Sequence, residues 1–420
     1  MTFVFAILIV ILALLGTPLF IVLGAAALLC YNTFDLETWG IFIEFYRISS
    51  IPTLLAIPLF TFAGYLMAES NSPKRLVNFA RATIGWIPGG IAIVSLVSCA
   101  FFTAFTGASG VTIIALGGLL YPILLKEKYS EKFTLGLLTA SGSLGLLFPP
   151  SLPIILYGLV AQVSIDDLFV AGIVPGFVLI AVLGAYSVKN ANFGEVEKTE
   201  FSMSEVLRTA KEVAWEIPLP FIVLIGIYGG FFTATEAAAV TAFYIFVVEV
   251  FIYKDLSLTK DVPRIMQESM TLVGGIIIIL GCALGLTNFL IDEQIPMQML
   301  DLIREFITNK WAFLLLLNVF LLLVGALMDI FSAIVVVVPL IVPIANEFGI
   351  DPVHLGIIFL TNLEIGYLTP PVGLNLFISS FRFKKPILSL YSASIPFILL
   401  LLVALLLITY IPELSLFLIK

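Results

Sequence analysis

The chain has 420 residues, of which 61% are hydrophobic and 11% charged, and its mean hydropathy is +1.16. These values exclude a water-soluble globular protein. The formal net charge of -8 and the lack of a long basic cluster exclude nucleic acid as a partner. Because about 20 helical residues cross a bilayer core, we predict an all-α polytopic membrane protein with about 11 transmembrane helices and two re-entrant helical hairpins.

The first apolar run begins at Phe3 with no basic region before it, which predicts a membrane helix rather than a cleaved signal peptide. We assign residues 1–50 to this N-terminal scaffold helix and to an aromatic, acidic link that suits a membrane interface. Residues 73–86 mix basic and apolar side chains and are too short to cross a bilayer. They predict an amphipathic arm helix on the membrane surface.

Residues 91–125 are almost continuously apolar, but a straight helix of this length would overshoot the bilayer. The centre of the run is rich in hydroxyl groups and glycine, with the sequence FTAFTGASGVT at 102–112. We therefore predict a re-entrant hairpin, hairpin 1, with its tip near Thr106 to Gly110.

The next apolar run predicts a membrane helix that breaks at its centre, in the sequence TASGSLGLLFPP from Thr139 to Pro150. Pro149 and Pro150 remove two backbone N–H donors, and Gly145 relaxes the chain. The carbonyl groups freed by the break need partners that lipid cannot supply, so the break must line a cavity or hold an ion. This broken helix, at 133–159, completes a first repeat that spans 51–190.

The second half of the chain repeats the first after a central section. Residues 191–264 hold the longest polar stretch and two apolar helices that are joined at GGFFTATEAAAV. The second repeat spans 265–415. Its predicted arm helix, hairpin 2 and broken helix lie at 296–309, 311–346 and 354–381.

A constant offset of 221 residues relates the two repeats. It superposes Gly366 on Gly145, and it superposes four prolines of the second repeat on four of the first: Pro343 on Pro122, Pro370 on Pro149, Pro371 on Pro150 and Pro396 on Pro175. Such self-similarity between halves is typical of secondary transporters.

The distribution of basic residues indicates that the two repeats have opposite orientations. The loops beside hairpin 1 hold six: Lys74, Arg75, Arg81, Lys126, Lys128 and Lys132. The equivalent loops beside hairpin 2 hold only Arg304 and Lys310. After the broken helices the bias reverses, with no basic residue at 158–170 and three at 379–387. By the positive-inside rule, hairpin 1 enters from the cytoplasm and hairpin 2 from outside.

The hairpin tips and the breaks are predicted to meet near the bilayer centre, where they supply carbonyl and hydroxyl oxygens, the ligands that Na⁺ prefers. We predict two Na⁺ sites. The first consists of Thr103, Thr106, Gly145, Phe148 and Pro150. The second consists of Gly325, Gly366, Thr369 and Val372. The alternative is that these residues only let the helices pack closely.

An organic anion would be held by hydroxyl and amide groups near helix N-termini. Six candidates lie close to the predicted breaks: Ser109, Ser141, Ser143, Ser332, Asn362 and Asn375.

Acidic groups within apolar runs are functional candidates. A proton relay through Asp329 and Glu364 is one interpretation, but we favour contact with water or a helix-capping role for both. Glu236 follows Thr233 at the spacing of a capping box. His354, the only histidine, lies beside a loop and is not assigned a catalytic role.

Four segments closely resemble one family, the large membrane subunit (DctM, or M) of tripartite ATP-independent periplasmic (TRAP) transporters: FTAFTGASGVTIIALGGLLYP, SGSLGLLFPPSLPIILYG, GGFFTATEAAAV and EIGYLTPPVGLNLF. The resemblance covers essentially the whole chain. It implies Na⁺-driven import of a small organic acid anion, such as a C4-dicarboxylate or sialic acid, across a bacterial inner membrane by an elevator motion of a transport domain against a scaffold. It also implies two Na⁺ sites at the positions given above.

The resemblance further implies two protein partners, a small membrane subunit (Q) as a separate chain and a periplasmic substrate-binding protein (P), besides membrane lipids. The rival reading is a Na⁺/dicarboxylate carrier of another hairpin-containing elevator family, which needs no soluble partner. An embedded enzyme is disfavoured because the sequence has no HExxH and no plausible Ser–His pairing. Three separated cysteines indicate no zinc site, so we assign no metal except sodium and no organic cofactor.

Overall fold

The structure is a computed structural model that describes residues 2–87, 89–190, 201–307 and 309–419. The N-terminal section contains three helices, α1 (Thr2–Leu14), α2 (Leu19–Thr33) and α3 (Trp39–Ser49). The prediction of a single helix followed by a link is therefore wrong. Gly16, with φ of 84°, and Pro18 divide the apolar run, because neither residue continues a helix. The aromatic residues of the expected link lie in α3.

A 3₁₀ turn at Pro52–Leu55 leads into α4 (Ala56–Glu69), and α5 (Ser72–Ile84) follows as the first arm helix. Leu76 and Val77 bury one side of α5 against the core. Hairpin 1 consists of α6 (Gly90–Thr106) and α7 (Ser109–Lys126). These two helices pack against each other.

The first broken helix consists of α8 (Glu131–Ser141), a 3₁₀ turn at Leu144–Leu147 and α9 (Leu152–Ala161). Its two parts are bent by 46°. The long apolar helix α10 (Ile165–Lys189) closes the first repeat.

The central section contains α11 (Met203–Glu212), α12 (Pro218–Tyr228) and α13 (Ala234–Val247), which continues as a π-turn at Val248–Ile252. The prediction missed α11, which lies within the stretch expected to be a polar loop. Ser202 caps it by accepting a hydrogen bond from Glu205 N–H. The rest of the polar stretch, residues 191–200, lies outside the described residues.

The second repeat begins within α14 (Asp261–Asp292), the longest helix of the described chain, and continues with the arm helix α15 (Ile295–Phe306). Hairpin 2 consists of α16 (Lys310–Leu327) and α17 (Ile330–Glu347). The second broken helix consists of α18 (Pro352–Gly366) and α19 (Leu374–Phe383). The chain ends with α20 (Ile387–Tyr410) and the short α21 (Glu413–Leu416).

The boundaries of the helices repeat with the offset found in the sequence. Shifting α7 by 221 residues gives the bounds of α17, and the same shift brings α6, α9 and α10 within about two residues of α16, α19 and α20. Both proline pairs, Pro149–Pro150 and Pro370–Pro371, are joined by cis peptide bonds. The repeat is thus a property of the fold as well as of the sequence.

Eight helices of the described chain are long and apolar enough to cross a membrane, and the bent pair of α8 and α9 makes a ninth. Four shorter apolar helices, α2, α6, α12 and α18, add to them. The described residues thus form a multi-pass helical protein.

The two broken helices interlock at the centre of the molecule. Helix α9 packs on α17 and α18, whereas α19 packs on α7 and α8. The Tyr157 hydroxyl of α9 donates to the Pro352 carbonyl of α18 at 2.9 Å. Each broken helix therefore contacts parts of both repeats.

Candidate functional site

The tip of hairpin 1 meets the break of the first broken helix. Helix α6 ends because Gly107 has a left-handed backbone with φ of 63° and donates its N–H to the Thr103 carbonyl at 2.8 Å. A methyl group on Gly107 would lie 2.6 Å from the Leu152 Cβ at the start of α9. The tip therefore needs glycine both for its conformation and for this close approach.

The first break also lies directly against α6. A Cβ on Gly145 would stand 2.2 Å from the Ala100 carbonyl oxygen and 2.5 Å from the Thr103 Cβ. Beyond Gly145 the chain turns, with Phe148 N–H donating to the Gly145 carbonyl and Ser151 N–H donating to the Phe148 carbonyl, both at 3.0 Å. Glycine thus brings main-chain oxygens of the break close to the hairpin.

A hydroxyl network connects hairpin 1 to the break. The Thr103 Oγ1 donates to the Gly142 carbonyl at 2.9 Å and lies 2.7 Å from the Thr112 Oγ1 on the other arm of the hairpin. Both side chains are fully buried. Thr112 was missed by the sequence analysis, although it stands opposite Thr103 across the glycine-containing tip.

The second repeat reproduces this contact through backbone groups. A Cβ on Gly366 would lie 2.5 Å from the Gly325 Cα, so α18 and α16 touch without intervening side chains. At the tip of hairpin 2, Ile330 N–H donates to the Tyr367 hydroxyl at 2.6 Å. On the far side of the break, Gly373 N–H donates to the Ala326 carbonyl at 3.3 Å.

The structure brings Thr103 and Gly145 into contact in one repeat, and Gly325 and Gly366 in the other. Thr106 ends α6 at the first tip, and Phe148 and Pro150 follow the 3₁₀ turn. In the second repeat, the Thr369 N–H and hydroxyl donate to the Gly366 and Ile365 carbonyls, and Val372 lies at the surface, 40% exposed. The first set is enclosed, whereas the second opens to the surface.

The donor set suits a hard monovalent cation. Within the described ranges, no group of three or more His, Cys, Asp or Glu residues could hold a metal ion. The atoms at both breaks are instead carbonyl and hydroxyl oxygens, which bind Na⁺ in membrane proteins.

All six substrate candidates are buried: Ser109, Ser141, Ser143, Ser332, Asn362 and Asn375. Ser109 begins α7 at the first tip. The Ser141 and Ser143 hydroxyls donate to the Leu138 and Ala140 carbonyls of α8. Ser332 donates to the Asp329 carboxylate.

The two asparagines have different surroundings. Asn362 Nδ2 donates hydrogen bonds to Asn318 Oδ1 of α16 and to the Ile358 carbonyl, both at 2.8 Å. Asn375 instead links the two repeats, because its Nδ2 donates to the Thr139 carbonyl at 3.3 Å. The Oδ1 atom of each is buried and lacks a hydrogen-bond partner among the described residues. These oxygens can thus accept a hydrogen bond from a bound group or coordinate a cation.

The acidic residues separate into two kinds. Asp329 caps α17 by accepting hydrogen bonds from Phe331 N–H and Ser332 N–H, and Glu236 completes a capping box with Thr233, as predicted. The same expectation is wrong for Glu364. This residue is fully buried in α18, and neither of its carboxylate oxygens has a hydrogen-bond partner in the described chain.

His354 is buried at the start of α18. Its Nε2 lies 3.3 Å from the Thr409 carbonyl and its Nδ1 lies 3.2 Å from the Ser415 hydroxyl. Both ring nitrogens thus have structural partners in α20 and α21, which is consistent with the absence of a catalytic assignment.

The sequence analysis also missed a charged cluster that holds the first arm helix. Arg75 of α5 contacts the carboxylates of Glu216, Glu249 and Asp255 at 2.6, 2.9 and 2.6 Å. Its guanidinium lies over the Tyr253 ring, 3.8 Å from the centroid. The feature of the sequence that could have indicated this cluster is that the three acids lie within or beside the apolar runs of the central section.

Repeated hairpins that meet broken helices in a multi-pass helical chain define a secondary-transporter architecture. Residues 5–414 match the family described as the tripartite ATP-independent periplasmic transporter, DctM component. The chain belongs to this family. Because the family consists of transporter permease subunits, the chain is a TRAP transporter large permease subunit and not an enzyme.

Individual relatives agree with this assignment. The chain is 37% identical over 394 residues to the C4-dicarboxylate TRAP transporter large permease protein DctM of Pseudomonas aeruginosa, covering 94% of this chain and 92% of that protein. It is 36% identical to the isethionate TRAP transporter permease protein DctMQ of Oleidesulfovibrio alaskensis, covering 96% of this chain and 64% of that protein. The crystal structure of the Alcanivorax borkumensis YdaH transporter shares the fold, with a TM-score of 0.65 over 88% of this chain and 86% of that one, at 14% identity.

Proposed function

We propose that the chain imports a small organic anion together with Na⁺ through a bacterial inner membrane. The observation that carries this proposal is the doubled contact between a hairpin tip and a broken helix, made through Gly145 against Thr103 and through Gly366 against Gly325. Each contact concentrates main-chain oxygens where the side chains are small or absent. Two Na⁺ ions would be bound there by the residues assigned above.

The anion would bind between the two breaks. Ser109, Ser332 and Asn375 lie in the first turns of α7, α17 and α19, where the helix N-terminus favours carboxylate and sulfonate groups without a fixed cation. Relatives are named for a C4-dicarboxylate and for isethionate, both small organic anions. Na⁺ bound beside the anion offsets its charge and so lowers the cost of moving it through a low-dielectric interior.

We further propose an elevator movement in which the hairpins and broken helices form a moving block and the remaining helices form a frame. Loose packing at the boundary supports this proposal. Two apolar cavities, of about 310 and 230 Å³, lie between α12 of the frame and α6 of the block and share Val97, Phe101 and Pro220. A third cavity, of about 640 Å³, lies between α9 of the block and frame residues such as Thr53, Ile165 and Thr233.

The chain would work with a small membrane subunit and a periplasmic substrate-binding protein, as the tripartite family description implies. The name of the isethionate relative, DctMQ, joins the letters of both membrane subunits. For this chain, the small subunit is proposed to be a separate polypeptide.

Uptake into proteoliposomes tests the proposal. The chain is reconstituted with its small subunit, and a radiolabelled dicarboxylate is supplied with or without the binding protein, under an inward gradient of Na⁺ or of K⁺. We expect uptake only with both Na⁺ and the binding protein. Equal uptake under both gradients would overturn Na⁺ coupling, and uptake without the binding protein would overturn the proposed dependence on that partner.

A further inference from the structure

Glu364 is an isolated carboxylate in the interior of the proposed moving block. Its exposed fraction is 0%, and no donor of the described residues reaches Oε1 or Oε2. A buried carboxylate without a counter-charge is among the most costly arrangements in a protein. Such a group either holds a proton or has a cationic ligand, and the Na⁺ proposed to bind in the same block would be that ligand.

The direction of the side chain follows from helix geometry. Asn362 bonds to Asn318 of α16, and Gly366 lies on Gly325 of the same helix. Glu364 is two residues from each, and successive helical residues are turned by about 100°, so it points roughly away from α16. Helix α18 also packs on α9, α10, α17, α20 and the turn at Leu144–Leu147. The carboxylate is thus enclosed by elements of both repeats.

The two repeats differ in chemistry at equivalent positions. At the offset of 221, Thr103, Thr112 and Ser143 correspond to Val324, Ala333 and Glu364. At these three positions the first repeat therefore provides neutral hydroxyl groups, whereas the second provides none and has a buried carboxyl group at one of them. Neutral oxygens can coordinate Na⁺, but they do not offset its charge.

We propose that the Glu364 carboxylate provides a fixed negative charge that offsets part of the charge of the Na⁺ ions bound in the moving block. This inference rests on the proposed Na⁺ coupling and assigns one residue to the electrostatics of cation binding. Glu364 raises the affinity for Na⁺, and the bound cation in turn supplies the counter-charge that the carboxylate lacks in the protein itself.

The test measures binding of radiolabelled Na⁺ and Na⁺-dependent melting of the purified full-length chain, with choline keeping the ionic strength constant. E364Q removes the charge at nearly constant volume. We expect its Na⁺ affinity to be at least about tenfold weaker, the effect of a unit charge within roughly 10 Å of the ion at an effective dielectric constant of about 20. E364D, which keeps the charge, retains most of the affinity.

The matched control is E347Q, the same change at a carboxylate that is 47% exposed at the end of α17; it should bind Na⁺ as wild type does. Without Na⁺, E364Q should melt at a higher temperature than wild type, because the unbalanced charge is gone. E364L removes the charge without burying an amide group. We expect the same weaker Na⁺ binding and the same higher melting temperature without Na⁺ for this variant.

The outcomes separate the two proposals. Na⁺ binding by wild type that is unchanged in E364Q and E364L overturns the role of Glu364 and leaves Na⁺ coupling intact. A wild-type chain that binds no Na⁺ overturns both.

Discussion

Gly325 and Gly366 bring the backbones of hairpin 2 and the second broken helix into direct contact. A methyl group on Gly366 would lie 2.5 Å from both the Cα and the carbonyl carbon of Gly325. Since backbone atoms cannot rotate away as side chains do, the two helices must separate if either glycine gains a side chain. The proposed second Na⁺ site depends on this contact.

G366A should therefore destabilise the protein by about 1–3 kcal/mol or more and weaken Na⁺ binding. The matched control is G275A in α14, where a Cβ would meet no atom within 4 Å; its helix should gain up to about 1 kcal/mol. Melting temperature and binding of radiolabelled Na⁺ measure the two effects. Equal melting temperatures for the two variants would show that the contact is not tight.

Removal of the Thr103 hydroxyl tests the first site. T103V keeps the shape of the side chain but loses the hydrogen bonds to the Gly142 carbonyl and the Thr112 hydroxyl. We expect the free energy of unfolding to fall by about 1–3 kcal/mol, because both hydrogen-bond partners stay buried and unpaired. Na⁺ affinity should fall as well, whereas T103S should keep both properties near wild type. If T103V binds Na⁺ normally, Thr103 has a packing role only.

The breaks and hairpin tips were predictable because their causes are local. Pro149 and Pro150 cannot donate hydrogen bonds, and Gly107 adopts a backbone that other residues avoid. The offset of the proline pairs then located the second break from the first. Features of this kind are visible in a single segment of sequence.

Other features depend on contacts between distant segments. The bond between Thr103 and Gly142 joins residues 39 positions apart, and Asn375 reaches Thr139 from the other repeat. The orientation of Glu364 depends on which helices surround α18, so a sequence-based preference for water or a helix cap was wrong. Helix α11 was missed because its surface is polar and its length is short.

The Arg75 cluster should be sensitive to the loss of its cation. Glu216 and Glu249 have side chains only 1% exposed, so R75M leaves two buried carboxylates without their counter-charge. Breaking such a buried pair costs about 3–5 kcal/mol. R264A is the control, because Arg264 is 45% exposed and its pairs with Glu69 and Glu268 contribute little. Melting temperatures distinguish the two; a small effect of R75M would mean that water reaches the cluster.

The same cluster predicts how stability depends on pH. Burial raises the pKa of Glu216 above its ordinary value, although hydrogen bonding to Arg75 acts in the opposite direction. Burial also acts to raise the pKa of Asp255, but hydrogen bonds from Asn71 and Arg75 prevail and lower it. The two carboxyl groups therefore respond to acid in opposite ways.

A raised pKa means that the folded protein holds the Glu216 proton more tightly than the unfolded chain does. The stabilisation from this group is therefore complete below the pKa of the unfolded chain, and it is lost as the pH rises through the pKa of the folded protein. The contribution of Asp255 is present above its ordinary value of about 4 and is lost as the pH falls through its lower folded pKa. Mild acidification from neutral pH should thus raise the melting temperature of wild type before stronger acid lowers it.

E216Q should reduce the rise on mild acidification and leave the loss in strong acid, because only the Glu216 proton has been removed from the equilibrium. The matched control is E205Q, the same change at a carboxylate of α11 that is 55% exposed. Melting temperatures at a series of pH values and constant ionic strength provide the comparison. A rise in E216Q as large as in wild type would assign the pH dependence to another group that faces Arg75, such as Glu249.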